Sequence, residues 1–279
     1  VSLQDRFPTI GELLHGKPTE KTLAFIDLWG TTPQVDKYMK SGDLLDIGNL
    51  TQIQGRFSSV LATIAKNNPS FDVIQASDGA FIVADEPDAL LDQVQMMFAY
   101  LSISAGRFQF IPIRAALSKG VHGIHKNTSS LQGIPNFQFL PYLGPAFVKV
   151  YKMEKSWPKG IRIFITDAVK SALSSPANFM IGDESVGQVK IIAHGSEPFF
   201  EVNWLGQMGP NNAPIVKAQL GVEFLSRARV WVDKGDRYQQ DIGQSILDHG
   251  AWALTGAYLK PEKTWLQKMK GQACRLICS

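Results

Sequence analysis

The spacing of apolar residues changes period several times along this chain, and each change marks an element. Leu23 to Ile26 form a short unbroken apolar run closed by Asp27, followed by Leu28, Trp29, Gly30 and the pair Thr31-Thr32. A run so short and so near a glycine predicts a buried strand rather than a helix. Pro33, a favoured first helical residue, predicts the next element. Residues 33–66 read as a helical zone, clearest where Leu50, Ile53, Phe57, Val60, Leu61 and Ile64 recur at three and four. Gly42 and Gly48 predict a loop that breaks its first half, and Asn67-Asn68-Pro69 is a stop. Phe71, Val73 and Ile74 then predict one strand and Phe81 to Val83 another, with Ser77-Asp78-Gly79 as the turn of a β-hairpin. The helical period returns over 88–105.

The second half is less regular. Residues 108–120 predict a strand ending at Gly120, and 121–142 a long loop with a short strand at Phe137 to Leu140. Loops of that length inside compact domains are often functional. A helix is predicted over 143–156, a strand from Ile161 to Ile165, a short helix from Thr166-Asp167, and closing strands at Val189 to Ala193 and Phe199 to Asn203. After Leu205 the strands stop: 206–214 is a Gly, Asn and Pro linker, and 215–260 reads as helix. Mixed strands and helices followed by helices alone predict an α/β fold, an α+β sandwich with a helical tail. The divisions are an N-terminal arm at 1–19, a domain at 20–205, and a linker with helical extension at 206–279.

Composition narrows the function classes. Among 279 residues, 44% are hydrophobic and 19% charged, the balance of an ordinary globular protein. The net charge of +3 gives no argument for nucleic acid or a membrane surface. No apolar run reaches the roughly 18 residues of a membrane span, and the first ten residues lack the basic start and apolar core of a signal peptide. Two cysteines, Cys274 and Cys278, exclude a disulfide framework and a four-cysteine zinc site. The expected location is the cytoplasm.

The candidate chemistry begins at Asp27. A carboxylate closing an apolar run needs a partner. Strand, Asp, Gly-Thr-Thr and helix is a layout that can hold a cation on carboxylate oxygens and a phosphate on the free N–H groups of a helix start. Taken alone, a helix cap is the ordinary explanation. The second carboxylate is Asp78 at the hairpin tip. A hairpin beside the first strand puts both on one sheet edge, where they repel unless a cation lies between them. Two Asp residues and a backbone carbonyl suit Mg2+ or Mn2+, ions that come with nucleoside triphosphates. The third candidate, Arg114, sits among Ile111, Ile113, Ala115 and Leu117. Its anion is either a triphosphate, gripped by the guanidinium fork, or one of the chain's 25 carboxylates. His122 and His125 are three apart with no third ligand near.

AFIDLWGTT, SDGAFIV, PIRAALSKG and GPAFVKVYKMEK occur here in the order seen in class III nucleotidyl cyclases. Over residues 20–205 the chain resembles that family, most of all its bacterial branch that makes cyclic pyrimidine nucleotides in defence against phage. Gly144, Pro145, Ala146, Tyr151 and Glu154 carry the resemblance to the branch. It implies a ferredoxin-like class III cyclase catalytic domain. It assigns Asp27 and Asp78 to two divalent ions, Mg2+ or Mn2+, with the Leu28 carbonyl as a further ligand. Gly30, Thr31 and Thr32 match the phosphate-cradling turn, and Arg114 the arginine on the triphosphate. It also implies a head-to-tail homodimer in which the partner's helix 144–155 faces the metals.

The chain departs from adenylyl and guanylyl cyclases at three positions. Val148 and Lys152 stand where those enzymes carry an Asn and the transition-state Arg, and Pro141 where an Asp reads adenine. Lys152 keeps the positive charge without the fork. Loss of purine-reading groups fits UTP or CTP as substrate, converted to a 3′,5′-cyclic monophosphate and pyrophosphate. The product would reach an effector protein as a messenger, without direct binding between the two proteins. The same loss fits an inactive, nucleotide-sensing module, and an adenylyl or guanylyl cyclase is the other alternative. The tail helices are expected to support the dimer, with packing on the domain or contact with another protein as alternatives.

Overall fold

The computed structural model describes residues 19–29, 31–103, 111–124, 142–156, 160–176, 188–189, 199–204 and 225–255. Its central strand is β1 (Thr19–Leu28), ten residues where the sequence pattern predicted four. β1 lies antiparallel between β3 (Gly79–Ala84) and β4 (Ile113–Ile124). β2 (Asp72–Ala76) completes the hairpin with β3, and β5 (Tyr142–Leu143) pairs with the far end of β4. On the other side β4 pairs in parallel with β6 (Ile163–Thr166), followed by β8 (Phe199–Glu201) and β7 (Gln188–Val189). The order is β2-β3-β1-β4-β6-β8-β7.

Alternation along β1 divides the core into two layers. Ala24, Ile26 and Leu28 face helices α2 (Leu44–Asn67) and α3 (Pro87–Ile103), whose Phe57, Leu61, Leu90, Val94 and Phe98 cover them. Leu23 and Phe25 face the opposite way, under Ala146, Phe147, Val150 and Met153 of α4 (Pro145–Ser156). Each of the larger of these side chains, when fully buried, contributes on the order of 1.5–3 kcal/mol. By the same parity Asp27 projects on the α4 side of the sheet.

Three sequence expectations are corrected here. The helical zone breaks once, between α1 (Thr31–Ser41) and α2, at Gly42 (φ +65°). The next residue, Asp43, caps α2 by accepting the Leu45 N–H at 2.9 Å. Gly48 has no such cap beside it, and α2 runs through it. Gly120 does not end β4: a Cβ there would lie 3.3 Å from Ala146 Cβ, so glycine serves the close approach of α4. The first four residues of the predicted loop 121–142 therefore continue β4. The other end-strand and loop expectations at 125–141, 190–198 and 206–214 lie outside the described residues. The short helix predicted from Thr166-Asp167 is α5 (Asp167–Ala172), capped by Thr166, whose hydroxyl oxygen accepts the Val169 N–H.

Of the roles open to the tail helices, packing on the domain is the one these residues display. A helical stretch at 225–234 and helix α6 (Arg237–Thr255) bring Ala228, Ile242, Ile246 and Leu247 into the same core layer as Phe200 and Trp204. Arg162, just before β6, donates to Glu201 at 2.7 Å and to Asp248 of α6 at 3.0 Å. The Ser245 hydroxyl donates to the Ile161 carbonyl at 3.2 Å.

Candidate active site

Pairing register brings the predicted residues together. Asp27 lies opposite Gly79 on β3 and opposite Arg114 on β4. One residue on, the Leu28 N–H donates to the Asp78 carbonyl at 2.9 Å. The C-terminal end of β1 and the hairpin tip are thus joined through the backbone. Ser77 adopts φ +60° to make the turn, a conformation rare outside glycine, asparagine and aspartate. Gly79 is needed for packing: a Cβ there would come 3.0 Å from the Phe25 ring.

Two side-chain links fix the carboxylates. Arg114 Nε and one terminal nitrogen both donate to Asp27 Oδ2, at 3.3 and 3.1 Å. Of the two anions open to Arg114, the structure therefore displays a carboxylate, and it is the one read as a metal ligand. Antiparallel pairing explains the link, since directly opposed residues share a face. Thr31, the first residue of α1, donates its hydroxyl to Asp78 Oδ2 at 2.5 Å. That places an anion at the N-terminus of α1, where the helix dipole favours it.

Leu28 has a buried side chain, so its backbone is what it offers the site. Thr32 lies in the first turn of α1, and Gly30 is outside the described residues, as is Pro141. Lys152 is on the exposed side of α4, with Val148 (53% exposed) and Tyr151 (44%). Tyr151 packs edge-on against Phe25 at 5.7 Å between centroids, and Phe147 stacks on Phe81 at 4.0 Å. This aromatic layer seats α4 beside the Asp27 face. His122 is buried with Nδ1 3.0 Å from the Thr19 carbonyl, and His125 is outside the described residues.

The donor set can be tested against a divalent ion. Among the described residues no three His, Cys, Asp or Glu side chains gather to hold a metal. An ion at Asp27 and Asp78 would have two carboxylates and a backbone carbonyl at most from this chain. Mg2+ is held in that way when it arrives with phosphates, on one or two carboxylates rather than in an all-protein cage. A guanidinium already resting on Asp27 Oδ2 marks that oxygen as a cation position. Asp27 and Asp78 are thus donors of the chemical type such an ion takes.

Sequence reasoning missed Thr31 as the partner of Asp78 and missed Arg162 altogether. The signal for Arg162 was present: Ile161-Arg162-Ile163 is as apolar a setting as Ile113-Arg114-Ala115.

No protein-family profile and no curated protein matches the chain. Solved structures do. An adenylate cyclase from Trypanosoma brucei in its monomeric state superposes with a TM-score of 0.52 over 73% of this chain and 96% of that one, at 13% identity. A bacterial light-regulated adenylyl cyclase gives 0.51 over 74% of this chain and 58% of its own length, at 14% identity. The fold is that of a class III cyclase catalytic domain, as the sequence resemblance implied.

Proposed function

We propose that this chain is a nucleotidyl cyclase that converts UTP or CTP to a 3′,5′-cyclic monophosphate and pyrophosphate. One observation carries the reading. In a cyclase-type fold, Asp27 and the turn bearing Asp78 meet at one strand end, with Arg114 directly opposite. Asp27 and Asp78 would hold two Mg2+ or Mn2+ ions with the Leu28 carbonyl. Such ions supply a lowered pKa for the ribose 3′-hydroxyl and neutralise charge on the attacked phosphate. Arg114 grips the triphosphate. Gly30, Thr31 and Thr32 offer N–H groups at the start of α1 to a phosphate oxygen. Lys152, on the exposed side of α4, supplies positive charge to the site of a partner copy in a head-to-tail homodimer. Holding these groups in place is most of the catalysis, as for phosphoryl transfer in general.

The pyrimidine assignment rests on the sequence, where Pro141 and Val148 replace purine-cyclase polar groups. The role as a cytoplasmic messenger synthase in phage defence rests on the resemblance alone. The domain is proposed to span 20–205, with 206–279 as its extension.

Incubation of the protein with each of the four nucleoside triphosphates and Mn2+, followed by chromatography, tests the reading. Cyclic UMP or cyclic CMP is the expected product. Asp27→Asn and Asp78→Asn should each reduce its formation by at least about a hundredfold, the scale of losing one main charge-stabilising group. Turnover that survives either substitution would remove that residue from the site. The half-exposed, apolar Val148 favours a second reading, a module that binds a nucleotide without turning it over. Binding of a triphosphate with no product from any of the four would select it.

A further inference from the structure

Arg114 occupies one of the two carboxylate oxygens that Asp27 could offer a metal. Its Nε–H and a terminal N–H converge on one oxygen, Asp27 Oδ2, at 3.3 and 3.1 Å. Charge-assisted N–H···O bonds of good geometry measure about 2.7–2.9 Å, so this pairing is a loose one. Both side chains keep about a fifth of their surface open, 20% for Arg114 and 18% for Asp27. The pair is therefore neither sealed from water nor tightly locked. An oxygen that accepts two guanidinium N–H groups is a poorer ligand for a divalent ion, because the positive charges repel and its lone pairs are engaged.

We propose that Arg114 and a divalent cation are alternative partners of Asp27 Oδ2, so that Arg114 is a latch released to the triphosphate when metal loads. This rests on the reading of Asp27 and Asp78 as the metal pair of a nucleotide site. Without metal, Arg114 neutralises Asp27 and limits its repulsion of Asp78 at the same strand end. Released, the guanidinium favours a nearby anion, because its neighbours along β4 are apolar. A triphosphate at the start of α1 is that anion. Metal and triphosphate then each favour the state that binds the other, and the coupling is reciprocal. Arg114 is thus a positioning residue for the metal as well as a contact for the substrate.

The test measures Mn2+ binding to the full-length protein from the loss of the free-ion electron spin resonance signal. It is done with the protein alone and with a non-cyclisable α,β-methylene UTP. In the wild type the ion should bind weakly alone and more tightly with the analogue. Arg114→Gln removes the competitor, so its affinity for Mn2+ alone should rise about three- to tenfold while the gain from the analogue shrinks. Arg114→Lys keeps a competing charge and should stay near the wild type, which guards against a folding defect in the glutamine variant. In the wild type, Mg2+ titration should also move the Arg114 Nε–H resonance. Equal or weaker Mn2+ binding by Arg114→Gln, with the wild type binding Mn2+ normally beside the analogue, would overturn the latch and leave the cyclase reading standing. No Mn2+ uptake by the wild type even with the analogue would overturn both.

Discussion

Two arginines in neighbouring strands lead opposite lives. Arg114 sits in β4 and Arg162 just before β6, and the Arg162 carbonyl accepts the N–H of Ala115, the residue after Arg114. Both are flanked by apolar residues and both pair with carboxylates. Arg162 is 9% exposed and reaches two separate carboxylates on two elements, Glu201 at 2.7 Å and Asp248 at 3.0 Å, themselves 0% and 4% exposed. Arg114 spends two N–H groups on one oxygen at longer range, with twice the exposure. The first arrangement fastens the C-terminal helix α6 to the sheet. The second holds a carboxylate in a place where water and ligands reach it. Depth and the division of donors among acceptors separate a structural arginine from an exchangeable one, and residue type does not.

The sharpest way to break this contrast is to remove each guanidinium in turn. Arg162→Met leaves Glu201 and Asp248 buried with their shared counter-charge gone, and should cost about 3–5 kcal/mol. That is a large share of the roughly 5–15 kcal/mol that holds an ordinary domain together. Arg114→Gln should cost less, about 1–2 kcal/mol, because about a fifth of each partner stays in water. Urea denaturation of both variants measures the difference. Equal losses would mean that Arg114 is as structural as Arg162.

Much of this arrangement was legible in the sequence, and the limits have physical causes. The strand closed by Asp27, the Ser-Asp-Gly turn and the α2 and α3 stripes follow from periods of two and 3.6, which local sequence carries. The resemblance carried the fold. What local sequence does not carry is the partner of a charge. Ile113-Arg114-Ala115 and Ile161-Arg162-Ile163 announce that each arginine needs an anion, but the anion comes from 87 residues away for Arg114 and 86 for the Arg162 to Asp248 link. Pairing register supplies the first, and docking of α6 supplies the second. Glycines were ambiguous for the same reason. Gly42 is a break because Asp43 caps beyond it, whereas Gly120 exists for a helix that arrives 26 residues later at Ala146.

Two further glycines allow the contrast to be sharpened. Gly160 has φ +128°, and a Cβ there would fall 2.4 Å from Ser245 Cβ, inside the Arg162 fastening. Gly160→Ala should cost about 1–3 kcal/mol in backbone strain alone, with the collision added. Gly144 immediately precedes α4, and a Cβ there would stand 2.5 Å from the Val121 carbonyl oxygen. Gly144→Ala should cost about 1–3 kcal/mol by overpacking and shift α4 with Tyr151 and Lys152. The two should separate by readout. Loss at Gly160 should appear as weaker protection of the α6 amides in hydrogen exchange, and loss at Gly144 as reduced turnover with α6 still protected.

The smallest expected effect tests the neutral counterpart of the Arg114 link. Thr31 holds Asp78 with a hydroxyl where Arg114 holds Asp27 with a charge. A hydroxyl can turn its proton away and offer a lone pair, so it can stay beside Asp78 when a cation binds, whereas a guanidinium repels the cation. Thr31→Val should therefore lower stability by about 1 kcal/mol, below the range for a fully buried hydrogen bond to a charged group because the site is partly solvated. It should leave Mn2+ binding to the nucleotide-free protein within about twofold of the wild type, because the bond it removes is not a competing charge. Thr31→Ser should restore the stability, which a role of the methyl group in packing would not allow. A threefold or larger gain in Mn2+ affinity from Thr31→Val would place a second latch on Asp78 and dissolve the distinction between the two links.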